Sequence, residues 1–278
     1  MAAHHGPPFL FPTMIEWTHW HNEPYLVGGL ILLGWLFAIL AGPLRERLAP
    51  GASYPKRQAI KFYAALIIFY LAVGSPLDQI GERYLFSAHM VQHTLLIYAA
   101  PVLFLLGIPR WMIDPVLSRP GLRTAGKIAS QPVVCGAVFV ITTSVWHAPL
   151  LYEWALQDKL VHVLEHLMFF GSALFYWWPH LSPSAVFPPR SYPTQMVYQL
   201  CVTIAMIPVY AYITFTPSIL YPTYEYAPRL FADFSPTNDQ LLAGVIMKIG
   251  GMLVSLTAVA VSFYRWYHAS ELRGTDRL

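Results

Sequence analysis

Seven apolar runs, each close to the length that crosses a bilayer, constrain this chain more than any other feature. They cover approximately Tyr25–Ala41, Ala59–Gly74, Tyr84–Gly107, Pro132–Trp146, Leu160–Trp178, Thr194–Phe215 and Leu241–Trp266. A hydrocarbon core about 30 Å thick needs about 20 mostly apolar residues per helix, so each run is read as a spanning helix. Only 11% of the 278 residues are charged, against about 25% in a soluble domain. Lipid is the expected solvent, and an all-α bundle of seven transmembrane helices the expected fold. Turn residues such as Pro50-Gly51-Ala52-Ser53 and Pro188-Pro189 separate the runs. The first basic residue, Arg45, lies beyond the first run, so that run is expected to be a retained span and not a cleaved signal peptide.

The basic residues orient the bundle, because Lys and Arg accumulate in cytoplasmic loops. Arg45, Arg47, Lys56, Arg57, Lys61, Arg110, Arg119, Arg123, Lys127, Arg190, Arg265, Arg273 and Arg277 fall on one side; Arg83, Lys159 and Arg229 fall on the other. An outside N-terminus and a cytoplasmic C-terminus are therefore expected. The whole of 1–278 reads as one membrane domain, with 1–22 an extracytoplasmic segment and 267–278 a cytoplasmic tail. Trp17, Trp20, Trp146, Trp154, Trp177 and Trp178 lie near run ends and are expected to be interfacial lipid anchors. Cys135 and Cys201 stand alone in apolar runs, in no metal-like spacing, and are read as packing residues.

Polar residues inside a span are costly and mark function. The third run holds His89-Met90-Val91-Gln92-His93 and the fifth holds His162-Val163-Leu164-Glu165-His166. Positions i, i+3 and i+4 share one helical stripe, so each motif presents two imidazoles and a Gln or Glu together. Both runs descend from the outer side, and both motifs begin within about two turns of a loop charge, Arg83 or Lys159. The stripes are expected to meet in the outer leaflet. His147, Asp239 and Met247 fall on the same side, and His19 and His21 precede the first run. Imidazole suits copper, zinc and iron, and a thioether selects Cu(I). A metal site of His89, His93, His162 and His166 is expected, with His147, Asp239 and Met247 behind them. Gln92 and Glu165 would orient imidazoles by hydrogen bonds.

Three other readings compete. His162-x-x-Glu165-His166 matches the inverzincin pattern, in which Glu165 would be the base of a zinc hydrolase, but the matching motif has Gln92, which is no base. A b-type haem with two axial imidazoles would need one His from each helix, since an i, i+4 pair cannot bind opposite faces of one macrocycle. Seven-helix zinc hydrolases and His-rich lipid hydroxylases place their metals toward the cytoplasm, whereas these histidines are expected outside.

Ser75-Pro76-Leu77-Asp78, Leu85-Phe86-Ser87-Ala88-His89-Met90-Val91-Gln92-His93, Pro101 and Gly107-Ile108-Pro109 together resemble the CtaG family of cytochrome c oxidase assembly proteins. So do Trp146-His147-x-Pro149, the His162/His166 pair, Trp177-Trp178-Pro179 and Asp239-Gln240-x-x-Ala243-Gly244-x-x-Met247. The resemblance runs from about residue 20 to about residue 265. It implies a seven-helix protein of the bacterial plasma membrane, needed to assemble haem–copper oxidase and involved in copper supply; it does not imply catalysis. This chain departs from the family in having Lys248 after Met247, where a Trp is common.

The combined expectation is a non-enzymatic assembly factor that binds copper, as Cu(I), in the outer half of the bundle and delivers it to an oxidase subunit. An intramembrane zinc hydrolase using the same histidines is the alternative. Expected partners are oxidase subunits, an extracytoplasmic copper chaperone and the lipid bilayer, with no nucleic acid. Residues 1–12 read first as a disordered tail with incidental histidines; an N-terminal Cu(II) site is the alternative, since removal of Met1 would leave Ala2-Ala3-His4. A free amine, two backbone amides and the His4 imidazole would then give the square of nitrogens that Cu(II) prefers.

Overall fold

Proline sets where many of the helices begin. Its missing N–H is no loss in the first helical turn, and its fixed φ suits a helix start. A computed structural model describes Ile15, Trp17, Thr18 and residues 20–275, with side chains as far as Leu272. Ala2, Ala3, His4 and His19 lie outside the described residues. Helix α1 spans Pro24–Ala41, α2 Lys56–Gly74, α3 Pro76–Arg83, α4 Phe86–Gly107 and α5 Pro132–Trp146. Helix α6 spans Pro149–Gln157, α7 Lys159–Leu181, α8 Tyr192–Phe215, α9 Pro222–Tyr226 and α10 Pro236–Thr275. No strand occurs among the described residues.

Six helices, α1, α2, α4, α7, α8 and α10, are long and apolar enough to cross a membrane. The fourth expected span is different. Helix α5 has 15 residues, about 22 Å of rise, which falls short of the hydrocarbon core. It passes the same test only together with Pro120–Ala129, from which it is bent by 74°. The fold is thus a bundle of six spans, or seven if that bent pair counts as one. Helix α10, at 40 residues, rises about 60 Å and carries the chain well past the expected end at Trp266.

Helix α4 is central, packing against α2, α3, α7 and α10. It is not regular throughout: Leu95–Ala99 forms a π turn immediately below the His-x-x-Gln-His motif. Pro101, four residues after Ile97, has no N–H to offer the Ile97 carbonyl. The indole N–H of Trp177 on α7 donates to that carbonyl instead, at 3.0 Å. A backbone group that lipid could not satisfy is therefore bonded inside the bundle. Trp177 and Trp146 are both buried in the core, which corrects the reading of these two as lipid anchors; Trp17, Trp20 and Trp154 are exposed. Cys135 is buried in the same core, whereas Cys201 is exposed.

The short helices α3, α6 and α9 follow or precede the spans at one end of the bundle, where α4 and α7 both begin. They bring polar loop residues over the two histidine motifs.

Candidate metal centre

The level of each motif is set by how its helix starts. The side chain of Asp158 caps α7, accepting from the N–H groups of Leu160 at 2.9 Å and Val161 at 3.1 Å. Helix α4 follows Leu85, which has no capping oxygen, so its first amides need an acceptor from elsewhere. Asp239, in the first turn of α10, accepts from Phe86 N at 2.7 Å and from Ser87 N at 2.9 Å. His89 and His162 are then each the fourth residue of their helix, and His93 and His166 lie one turn deeper. Helix α3 closes over them at Gly81, where a Cβ would lie 3.0 Å from His89 Cα and 3.3 Å from Gln92 Oε1.

The two motifs face each other. Ring centroids are 5.6 Å apart for His89 and His162, 5.9 Å for His89 and His166, and 5.5 Å for His93 and His166. Within the motifs, the Nε2 atoms of His89 and His93 are 2.7 Å apart, and those of His162 and His166 are 3.0 Å apart. His89, His162, Glu165 and His166 each offer a ligand atom, all within 4.8 Å of one another. His93 joins them through His89 and through a 3.9 Å approach of its Nε2 to Glu165 Oε1. All five side chains are buried.

Fixed acceptors around the rings decide which nitrogens are free. Tyr224 has one hydroxyl proton, and the Gly81 carbonyl, 2.8 Å away, can only accept it. The Tyr224 oxygen therefore accepts from His89 Nδ1 at 3.2 Å, leaving a lone pair on Nε2. Glu82 Oε1 lies 2.6 Å from His162 Nδ1, and the Thr143 carbonyl lies 2.6 Å from His147 Nδ1, with the same consequence for both rings. Glu82 lies outside the spans; burial, the largest single effect, works against its charge, but the hydrogen bond from His162 together with the charges of His162, His21 and Arg83 holds its pKa below the ordinary 4.5.

The chemistry of the site matches a cation. Both carboxylate oxygens of Glu165, together with His93 Nδ1 and His147 Nε2, are buried without a hydrogen-bond partner. An unpaired buried carboxylate is expensive, and an ion held among these nitrogens and oxygens would satisfy it. Such nitrogen and oxygen donors suit divalent copper or zinc.

A family model described as cytochrome c oxidase caa3 assembly factor, CtaG, matches residues 35–269. The chain belongs to this family. No curated protein and no solved structure matches it.

In this CtaG chain the outlying residues of the expected site fall in distinct places. His147 stands beside His93, with ring centroids 5.9 Å apart. The carboxylate of Asp239 is engaged by the amides of α4. Met247 is half buried between two aromatic clusters, packed against the groups that hold Phe86, Met90 and Tyr152 on one side and Trp146 and Phe169 on the other. Lys248 is exposed on α10. Neither Gln92 nor Glu165 makes the expected hydrogen bond to an imidazole. The Gln92 amide N–H donates to Asp78 Oδ1, whereas the Glu165 oxygens have no hydrogen-bond partner and one of them lies among the atoms that could hold an ion.

Asp78, Glu82, Tyr152 and Tyr224 complete the surroundings and were not legible as site residues. Asp78 and Glu82 had the one available signal, an i, i+4 carboxylate pair directly before the first histidine motif. His21, already noted ahead of the first run, has its Nδ1 2.6 Å from Asp78 Oδ2.

Proposed function

We propose that this CtaG-family chain takes up copper at His89, His93, His162 and His166, with Glu165, and hands it to a subunit of cytochrome c oxidase during assembly. The observation that carries this reading is the convergence of two histidine pairs on a buried carboxylate that has no hydrogen-bond partner. Copper is cargo here, and the chain's own residues do the holding. Tyr224 and Glu82 aim the Nε2 atoms of His89 and His162, Glu165 offsets the charge of the ion, and His147 adds a nitrogen beside His93. Burial excludes competing water ligands.

The charge asymmetry of the loops supports placing this end of the bundle outside the bacterial plasma membrane. There it would receive copper from an extracytoplasmic chaperone and meet oxidase subunits. Membership in an assembly-factor family supports a non-enzymatic role.

The test is oxidase copper content in cells whose only copy of this chain carries His89→Ala and His93→Ala. Copper-depleted oxidase subunits at normal subunit levels are expected; fully metallated oxidase would overturn the proposal. One observation favours a second reading. Glu165, beside the imidazoles and without partners, could serve as the base of a zinc hydrolase. Zinc retained with all function lost in Glu165→Gln would support that alternative.

A further inference from the structure

His162 belongs to two groups of ligating side chains at once. Its Nε2 faces His166 in the inner centre, while its Nδ1 faces Glu82. Asp78, Glu82 and His162 offer ligand atoms that also lie within 4.8 Å of one another. Asp78 and Glu82, four residues apart on α3, share one helical stripe, and His21 closes the group from the segment before α1 through its 2.6 Å contact with Asp78.

Two features make this more than a patch of acidic surface. Gln92, itself fully buried, donates to Asp78, so the helix that carries His89 and His93 holds the outer carboxylate in place. The same residues line the polar end of a cavity of about 640 Å³ between α1, α2, α3 and α7, and that cavity also reaches His166. Glu23, Arg83, Gln157 and Lys159 also line it, Lys159 being paired with Glu23, and much of the rest of the wall is apolar, formed by side chains such as Leu30, Leu66, Phe69 and Phe170. A cation moving through the cavity toward the inner histidines meets Asp78, Glu82 and His21 on the way.

We propose that Asp78, Glu82 and His21 form a second cation site, a loading site from which Cu(II) passes by way of His162 to the inner centre. The inference rests on the copper reading of the inner histidines. Two carboxylates match the charge of a divalent ion and attract it from solution. An imidazole-rich site binds copper more strongly than carboxylate oxygens do, so the preference falls inward. His162 connects the two, since its ring presents one nitrogen to each group. The ion keeps its oxidation state throughout.

The test is the number of copper ions retained by the purified full chain in detergent after Cu(II) is added and excess removed, read together with the Cu(II) paramagnetic resonance spectrum. Two ions per chain are expected in the wild type, and one after Glu82→Gln. The substituted amide keeps an oxygen able to accept from His162 Nδ1, so that variant removes charge without unseating the ring. His21→Ala, changed at the rim of the group, is a second probe should Glu82→Gln fail to fold, and it too should retain one ion. The His89→Ala/His93→Ala variant should retain one ion with oxygen-rich spectral parameters. A single ion in the wild type, unaffected by Glu82→Gln and His21→Ala but lost with His89 and His93, would overturn the loading site and leave the inner centre standing. A single ion lost with Glu82→Gln and kept without His89 and His93 would support the outer site and overturn the inner one. No copper in the wild type would overturn both.

Discussion

The hydroxyl of Tyr224 lies 3.2 Å from Nδ1 of His89. Because Gly81 takes the hydroxyl proton, this contact fixes the imidazole with its lone pair on Nε2, toward the other histidines. Tyr224→Phe removes the hydroxyl that accepts from the His89 ring N–H and donates to the Gly81 carbonyl. Loss of such a supporting contact typically costs about 10–100-fold in metal affinity. A competition titration with a copper chelator should show a loss in that range at unchanged stoichiometry; wild-type affinity would contradict the tautomer assignment.

Asp239 holds the start of α4 from another helix. Asp239→Asn keeps one acceptor oxygen but loses the second and the charge. Stability should fall by about 1–2 kcal/mol, the scale of a lost helix cap, seen as a lower Tm in detergent. Copper per chain should not change. A drop in copper per chain with an unaltered Tm would make Asp239 a ligand instead.

Glu165→Gln separates a charge-offsetting ligand from a catalytic base. The variant should still bind copper, with affinity lowered by roughly tenfold, about 1.4 kcal/mol, and should retain part of the oxidase-assembly activity measured in cells. Undiminished metal binding with complete loss of function would contradict the cargo role.

Two pH dependences should run in opposite directions. The hydrogen bond to Asp78 raises His21 above its ordinary 6.5, against the opposing effect of burial. The stability this contributes is complete below the unfolded value of 6.5 and is lost as pH rises through the folded-state pKa. In metal-free protein, the Tm difference between wild type and His21→Ala should therefore shrink as pH is raised above about 6.5. Copper affinity should instead increase with pH, because protons compete for the ligand nitrogens. A Tm difference that grows with pH would contradict the His21–Asp78 pairing.

The histidine pairs were legible because helical periodicity alone puts i and i+4 on one stripe, and the matched depth of His89 and His162 followed from their distance to the loops. The spans were legible from apolar length, except at α5, whose continuity with Pro120–Ala129 depends on a backbone bend that composition does not encode. Tyr224 and Glu82 were not legible as site residues. They sit on short helices outside the spans, and only tertiary packing brings Tyr224 within reach of a residue 135 positions away. Trp177 was misread for a related reason: its burial depends on the Ile97 carbonyl that Pro101 leaves free, a relationship between two helices that a position near a run end does not disclose.

Copper held by two histidine pairs and Glu165 is the core of the proposed function. It is tested most directly by copper content per chain in purified wild-type protein beside a His89→Ala/His93→Ala/His162→Ala/His166→Ala variant, both shown to be helical and membrane-inserted. Copper bound to the wild type, and reduced in the variant at the inner centre to nothing, is the expected result. Equal copper occupancy in the two proteins would contradict it.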